Sequence, residues 1–488
     1  MAILSVIDPA NKVPGIYLQV ALGVGPRASG SAARTVALLG NKLSSGSMNI
    51  EQEYPVTSPE DVEAYAGSGS ELHTMYLAAI AANPTARLSI IAIAESAGAN
   101  ASRSVLFTGT ATKAGTAYVR CLGEILQVPV ASGDTAAVLA ARVNTYVNNK
   151  SYWPVTTGVA TATVTATAKQ KGPRGNFVRF SIDIDGGIGI TVPAVAADFL
   201  SGGATSDSPQ NVLDVLAAVR RTYFAVPYSD STNLGLVKTH LDAQDEPTIA
   251  HRKTAIFGSV DTIGNTTTLS TAMNFARMQC AWLRNADVPP GMLAAALASV
   301  RAGAESLKIS ANHNGRDVPG IPPQAFSSWV ASSGEQVTAL DNGITPLVPS
   351  SATTLAILRS VTCKSQDSGG RPDYRTLDTT KVVVSDEIAD RGELYFYDFR
   401  DWNADVEPPE GVSPAPNTLV PSLVKQGWVG ILRDMETDGH VSRGSVDANL
   451  DGIQVELSTT SSGRFNTIVP FDVIEGFNQL SGQLRQVG

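Results

Sequence analysis

The stretch Leu88-Ser89-Ile90-Ile91-Ala92-Ile93-Ala94 decides the fold class. It carries one hydroxyl and no charge, so both of its period-two faces are apolar. Such a run belongs in a sheet covered on both sides, as parallel sheets flanked by helices are. Working backwards, Leu72, Met75, Tyr76, Ala79 and Ile80 follow the i, i+3, i+4, i+7, i+8 spacing of a helix with one apolar face. Pro59-Glu60-Asp61 opens a shorter helix with Ser58 placed as its N-cap. Thr35-Val36-Ala37-Leu38-Leu39 is a short apolar strand closed by Gly40-Asn41. His73 lies one residue off the apolar stripe of its helix, which predicts a surface or boundary position.

Working forwards, the composition changes near residue 100. Runs such as Ser104–Thr108 and Ala160–Ala166 are rich in Thr, Val and Ala and read as strands. One helix stands between them after Gly133-Asp134-Thr135, and Lys171–Asn176 reads as a turn. The strand–helix alternation then resumes. A helix with Val212, Val215, Leu216 and Val219 on one face precedes the strand Tyr223–Val226. Beyond it come a helix with Leu234, Val237 and Leu241, strands Thr254–Gly258 and Gln279–Leu283 around a helix near 267–276, and an Ala-rich helix from Pro290 to about Ala304. That order implies βαβ crossovers and a largely parallel sheet.

The sequence therefore predicts an α/β protein of the α+β multidomain kind. Residues 1–25 form an N-terminal arm, 26–100 the first part of an α/β core, 101–203 an inserted mainly-β outer domain and 204–320 the second part of the core. Residues 321–460 form a C-terminal α/β domain and 461–488 a C-terminal arm. In the C-terminal domain, Leu355–Thr362 reads as a strand, a helix starts near Pro421, and Ile453–Leu457 is a further strand.

Size and charge narrow the function. A chain of 488 residues exceeds one ordinary core. Charged residues are only 17%, below the usual quarter, which suggests that much of the surface is hidden against other subunits. The formal net charge of −9 argues against direct nucleic-acid binding and against anionic membranes. No apolar run reaches the roughly 20 residues of a membrane-spanning helix, so no membrane insertion is expected. Met1–Asp8 lacks a basic leader segment, which predicts a protein kept in a cytoplasm.

The candidate chemical motifs are thin. Gly23-Val24-Gly25-Pro26-Arg27-Ala28 matches G-x-G-x-x-A, but a strand ending in Gly40-Asn41 follows where a dinucleotide site needs a helix. Asp447-Ala448-Asn449-Leu450-Asp451-Gly452 matches the first half of a calcium loop, yet Ser458 stands where the bidentate Glu belongs. Cys121, Cys280 and Cys363 form no metal pattern; buried thiols, a disulfide between subunits and a catalytic thiol all stay open. The histidines are dispersed, and Asp183 and Asp185 read as polar positions on a half-exposed strand. No catalytic residue, metal site or cofactor is expected, and an α/β enzyme is the less favoured alternative.

The chain ends carry more information. Val13-Pro14-Gly15-Ile16-Tyr17-Leu18-Gln19-Val20 reads as a strand. So does Arg464–Ile474, where Phe465, Thr467, Val469, Phe471 and Val473 share one face. Neither run has an obvious partner nearby. Each could add to a sheet edge of a neighbouring copy, where backbone hydrogen bonds give affinity and alternate side chains give register. The expected exchange residues are Val13, Ile16, Tyr17, Leu18, Val20, Phe465, Thr467, Val469, Phe471 and Val473. Gly23, Gly25 and Gly463 are the expected hinges.

The chain resembles the tail sheath proteins of contractile-tailed, Mu-like bacteriophages. The residues that carry the resemblance are Val13–Tyr17, Gly202-Gly203-Ala204 leading to Tyr223–Asp230, Asp341–Leu347, Arg359–Thr362 and Asp373–Asp378, taken in that order. Cys363-Lys364 departs from the pattern, where relatives tend to continue with Thr or Tyr. The resemblance implies a structural, non-enzymatic subunit. Such subunits form hexameric rings stacked helically around a tail tube and exchange strands through their arms. They contract to drive the tube through the host envelope. Implied partners are other copies of the chain, the tail tube protein, and baseplate and tail terminator proteins. The implied location is the virion, after assembly in the host cytoplasm. The sheath of a bacteriocin-like contractile device is the nearest alternative.

Overall fold

A computed structural model describes residues 15, 34–192, 198–220, 222–324, 326–476 and 478. Five elements come first: β1 (Thr35–Asn41), β2 (Glu53–Val56), α1 (Pro59–Ala66), α2 (Glu71–Ala82) and β3 (Arg87–Ile93). Ser58 caps α1. Its hydroxyl accepts from the Asp61 N–H, and the Asp61 carboxylate accepts from the Ser58 N–H in return. His73 corrects the expectation of a boundary residue. It is 2% exposed, and its Nδ1 accepts from the Gly69 N–H at 3.0 Å. The turn before α2 needs that acceptor, and the need is invisible in helical periodicity.

Next come β4 (Asn100–Leu106), β5 (Thr108–Gly109), β6 (Gly115–Cys121), β7 (Glu124–Val130), α3 (Ala136–Asn148), β8 (Val155–Ala160), β9 (Thr163–Lys171), β10 (Phe180–Ile184) and β11 (Ile190–Thr191). They form two three-stranded sheets, β4-β9-β8 and β10-β6-β7, and a short β11-β5 pair. Their shared core draws only on residues from Ala101 to Leu200, centred on fully buried Trp153. The run 171–176 was expected to be a plain turn. It holds a short 3-10 helix, Pro173–Phe177, which turns Arg174 inward.

The chain then returns to the first sheet through α4 (Gln210–Ala217), β12 (Tyr223–Val226), α5 (Ser231–Gln244), β13 (Thr254–Ser259), α6 (Ile263–Met273), β14 (Met278–Trp282) and α7 (Pro290–Leu307). β15 (Asp317–Val318), α8 (Ser333–Asp341), β16 (Ile344–Pro349) and β17 (Leu355–Ile357) complete it. The sheet order is β15-β17-β16-β14-β13-β12-β1-β3-β2, parallel from β16 to β3 and antiparallel at both margins. The strand read over 355–362 stops at Ile357, because beyond it Thr362 donates to Leu377 instead of continuing the ladder.

Alternate residues of each central strand enter two different cores, as the opening run requires. Val36, Leu38, Ile90, Tyr223 and Ala225 face α2 and α7. Ala37, Leu39, Ile91, Phe224 and Val226 face α4, α5 and α6. Each of the larger aliphatic side chains adds about 2 kcal/mol by leaving water. α7 lies directly on β13 at Gly258, where an added Cβ would sit 2.1 Å from the Pro290 carbonyl oxygen. A Gly258→Ala exchange should therefore push α7 off the sheet. We expect a loss of about 2–3 kcal/mol in urea unfolding, with an unchanged slope.

The remaining elements are α9 (Thr379–Tyr397), β18 (Asn403–Ala404), β19 (Thr418–Leu419), α10 (Pro421–Thr437), α11 (Ser445–Ala448), β20 (Gln454–Leu457) and β21 (Phe465–Ile468). A fourth core joins Val383, Val384 and Ile388 of α9 to Val424, Trp428, Ile431 and Leu432 of α10, with Val473 beneath.

Candidate assembly site

The expected exchange residues divide by position. Val13, Ile16, Tyr17, Leu18 and Val20, with the hinges Gly23 and Gly25, lie outside the described residues. The C-terminal run is described, and it corrects the expectation that it has no partner in the chain. β21 pairs antiparallel with β20, with Phe465 opposite Leu457 and Thr467 opposite Val455. Phe465, Val469 and Phe471 pack half-buried against the α9–α10 core, and Val473 is buried there and bridges Val441. Thr467 is half-buried, and Ile468, an apolar residue outside that face, is 45% exposed. The period-two face is therefore real, and its apolar members rest on this chain's own core. Gly463 sits in the turn joining β20 to β21, with φ +70°, a left-handed conformation that suits glycine.

The hairpin leaves two edges. Among the described residues neither β20 nor β21 has a second partner strand. Unpaired rows of N–H and C=O groups are templates for another chain's strand. Beyond Val473 the chain is gripped by the core. Lys381 pairs with Glu475 at 2.8 Å, Asn314 donates to Asn478, and Gly476 fits where a Cβ would lie 2.7 Å from Asn312.

The opposite face of the core sheet bears on the enzyme alternative. The chain runs from β1 to β3, then crosses back to β12, so the topological switch point lies between β1 and β12. Doubly wound enzymes hold ligands in the crevice at the carboxyl ends of the strands there. In this chain Arg174 of the inserted segment fills that place. Its guanidinium pairs with Glu71 at 2.9 Å and Asp207 at 2.6 Å, stacks 4.8 Å from the Tyr228 ring, and donates to Asn41 at the end of β1. Burial pushes the Glu71 carboxyl above its usual range, against the pull of Arg174. The crevice is thus a joint between the insert and the sheet. A second joint lies nearby, where Arg179 pairs with Asp198 and Asp287 and stacks on Trp329 at 4.8 Å.

The remaining sequence candidates fall on ordinary structure. Asp183 pairs with Arg120, and Asp185 accepts from the Thr116 N–H. Asp447 pairs with Arg433 of α10, both side chains being exposed. The three cysteines are buried free thiols, and burial pushes Cys363 up to about 12. Among the described residues no group of three His, Cys, Asp or Glu side chains could hold a metal ion, and no helix is long and apolar enough to cross a membrane.

Comparison with known proteins adds the decisive observation. The chain is 25% identical over 370 residues to the Mu-like prophage FluMu tail sheath protein of Haemophilus influenzae, covering 75% of each chain. The chain is similar in sequence to a Mu-like tail sheath protein. No family model matches it. Among solved structures, it aligns with the sheath tail protein of Desulfitobacterium hafniense at 10% identity and a TM-score of 0.49, covering 91% of this chain and 97% of that one. The sheath tail protein of Listeria innocua aligns at 12% identity and 0.48, covering 92% and 97%. The sheath complex of an extracellular contractile injection system aligns at 12% identity and 0.47, covering 98% of both chains.

Proposed function

We propose that this chain is the structural subunit of a contractile tail sheath. Copies polymerise helically as stacked hexameric rings around a tail tube, and the assembled sheath contracts to drive the tube through a host envelope. The sequence similarity over 370 residues carries this reading. The β20–β21 hairpin supplies its physical means, with two open edges that can accept terminal strands from neighbouring copies. The donor is the Val13–Val20 arm, hinged at Gly23 and Gly25, while the run from Phe465 to Val473 stays on its own core and frames the acceptor, with Gly463 in its turn. A contact between unlike surfaces that does not close produces a helical filament. Each added backbone hydrogen bond contributes about 1 kcal/mol net, so several strands per subunit hold the lattice together. The tube, baseplate and terminator proteins are the proposed partners, and the virion is the proposed location. The protein is proposed to act without catalysis.

The test is negative-stain electron microscopy of the purified full chain, with and without residues 1–20, alone and with a tail tube. Striated hollow tubes from the full chain, lost on truncation while the monomer's circular dichroism is unchanged, are the expected result. Monodisperse particles from the full chain in both conditions would overturn the proposal.

A further inference from the structure

Four neighbouring parallel strands are each preceded by an arginine at the same edge of the core sheet. Arg34 stands directly before β1, Arg220 three residues before β12, Arg252 two before β13 and Arg277 directly before β14. All four reach one helix. Arg277 pairs with Asp386 at 2.7 Å, Arg252 with Asp390 at 3.0 Å and Glu393 at 2.7 Å, Arg220 with Asp390, and Arg34 with Glu387 at 3.6 Å. On α9, positions 386, 390 and 393 fall on one face and Glu387 flanks it. The arginines before β13 and β14 are 1% exposed, and the carboxylates they meet, Asp386, Asp390 and Glu393, are 12–26% exposed, so the guanidinium groups are buried and their partners only partly reach water. The other side of α9 carries Val383, Val384 and Ile388 into the core shared with α10.

We propose that this ladder fastens α9 to the edge of the sheet, so that the sheet, α9 and the C-terminal core beneath the β20–β21 hairpin move as one body. Apolar packing alone permits sliding, because it has no direction. Paired charges in register do not, since a shift along α9 would part Asp386, Asp390 and Glu393 from the buried guanidinium groups they face, even though Arg277 keeps a second partner in Asp245 at 2.7 Å. The consequence for contraction rests on the sheath reading: a pull on the hairpin would pass through α9 to the sheet, and flexing would be confined to the terminal arms. The fastening itself does not depend on that reading, and it can be tested on the monomer.

Amide hydrogen exchange on the full-length monomer is the measurement. In the wild type, residues 382–390 and the strands β12–β14 should open together, with equal protection. In the Asp386→Asn/Asp390→Asn variant, α9 should exchange at least about 100-fold faster while β12–β14 keep their protection. Arg252→Lys keeps the charge but loses the two-pronged contact, and should give a smaller increase of about 10-fold, even if the double variant does not fold. Arg433→Gln, which breaks an exposed pair on α10, should change nothing. A wild-type α9 that opens independently of the strands, or unaltered α9 exchange in Arg252→Lys and in the double variant, would overturn the proposal. Failure of the chain to form tubes would leave this result untouched.

Discussion

Replacing Glu305 with glutamine is expected to cost the folded protein about 3–5 kcal/mol, because it leaves a guanidinium buried without its counter-charge. Glu305 and Arg301 lie one turn apart on α7, both 1% exposed, with Nε to carboxylate at 3.0 Å. Tyr223, the first residue of β12, donates its hydroxyl to Glu305, and His313 lies 3.1 Å from it. Arg301 also donates to Gln279 at 2.6 Å and stacks on the Tyr223 ring. Burial opposes ionisation of Glu305, but Arg301 and His313 outweigh it and hold the carboxyl at about 2, against an ordinary 4.5.

That depression gives the substitution a pH signature. The unfolded chain takes up a proton at Glu305 near 4.5, while the folded chain does so only near 2. The pair's contribution is therefore complete above about pH 4.5 and is lost as pH falls towards 2, an effect on the order of 3 kcal/mol. Burial lowers the pKa of His313 below its ordinary 6.5, so its contribution is complete above about pH 6.5 and is lost as the pH falls below that value. Urea unfolding from pH 6 to 2 should show wild type and Glu305→Gln converging below pH 4. Parallel curves would show that folding leaves the Glu305 pKa unshifted, and so that Arg301 and His313 do not hold it as a carboxylate.

Removing Arg174 is the second large perturbation. Arg174→Leu leaves the Glu71 and Asp207 carboxylates facing each other at the end of β1, with no cation between them. A loss of about 3–5 kcal/mol is expected, lessened to the extent that Glu71 takes up a proton. The insert keeps its own core around Trp153, so its unfolding should separate from that of the sheet. Calorimetry should then resolve two transitions where the wild type shows one, and limited proteolysis should cut between Ala94 and Ala101 or between Ser201 and Asp207. A single transition at the wild-type temperature would mean that Arg174 does not weld the two parts together.

The sequence by itself determined the local elements and their order. The apolar run at Leu88–Ala94 entered a sheet covered on both faces. The spacing of Leu72, Met75 and Tyr76 became α2, and Phe465, Val469, Phe471 and Val473 did share a face. Each of these follows from side chains a few residues apart on a backbone of fixed period, which a pattern can show. α9 was not legible. Its Val382-Val383-Val384 run favours a strand by propensity, and its acidic face resembles a solvated one. Only the tertiary structure decided that this face is buried, since its partners stand between 109 and 353 residues earlier in the chain (Asp386 to Arg277, Glu387 to Arg34). The same holds for Arg174, read as part of a turn, and for the strand partner of Phe465–Ile468. Charge pairing and strand pairing have no period. They are fixed by which distant segments the fold brings together, and that information exists only once the chain has folded.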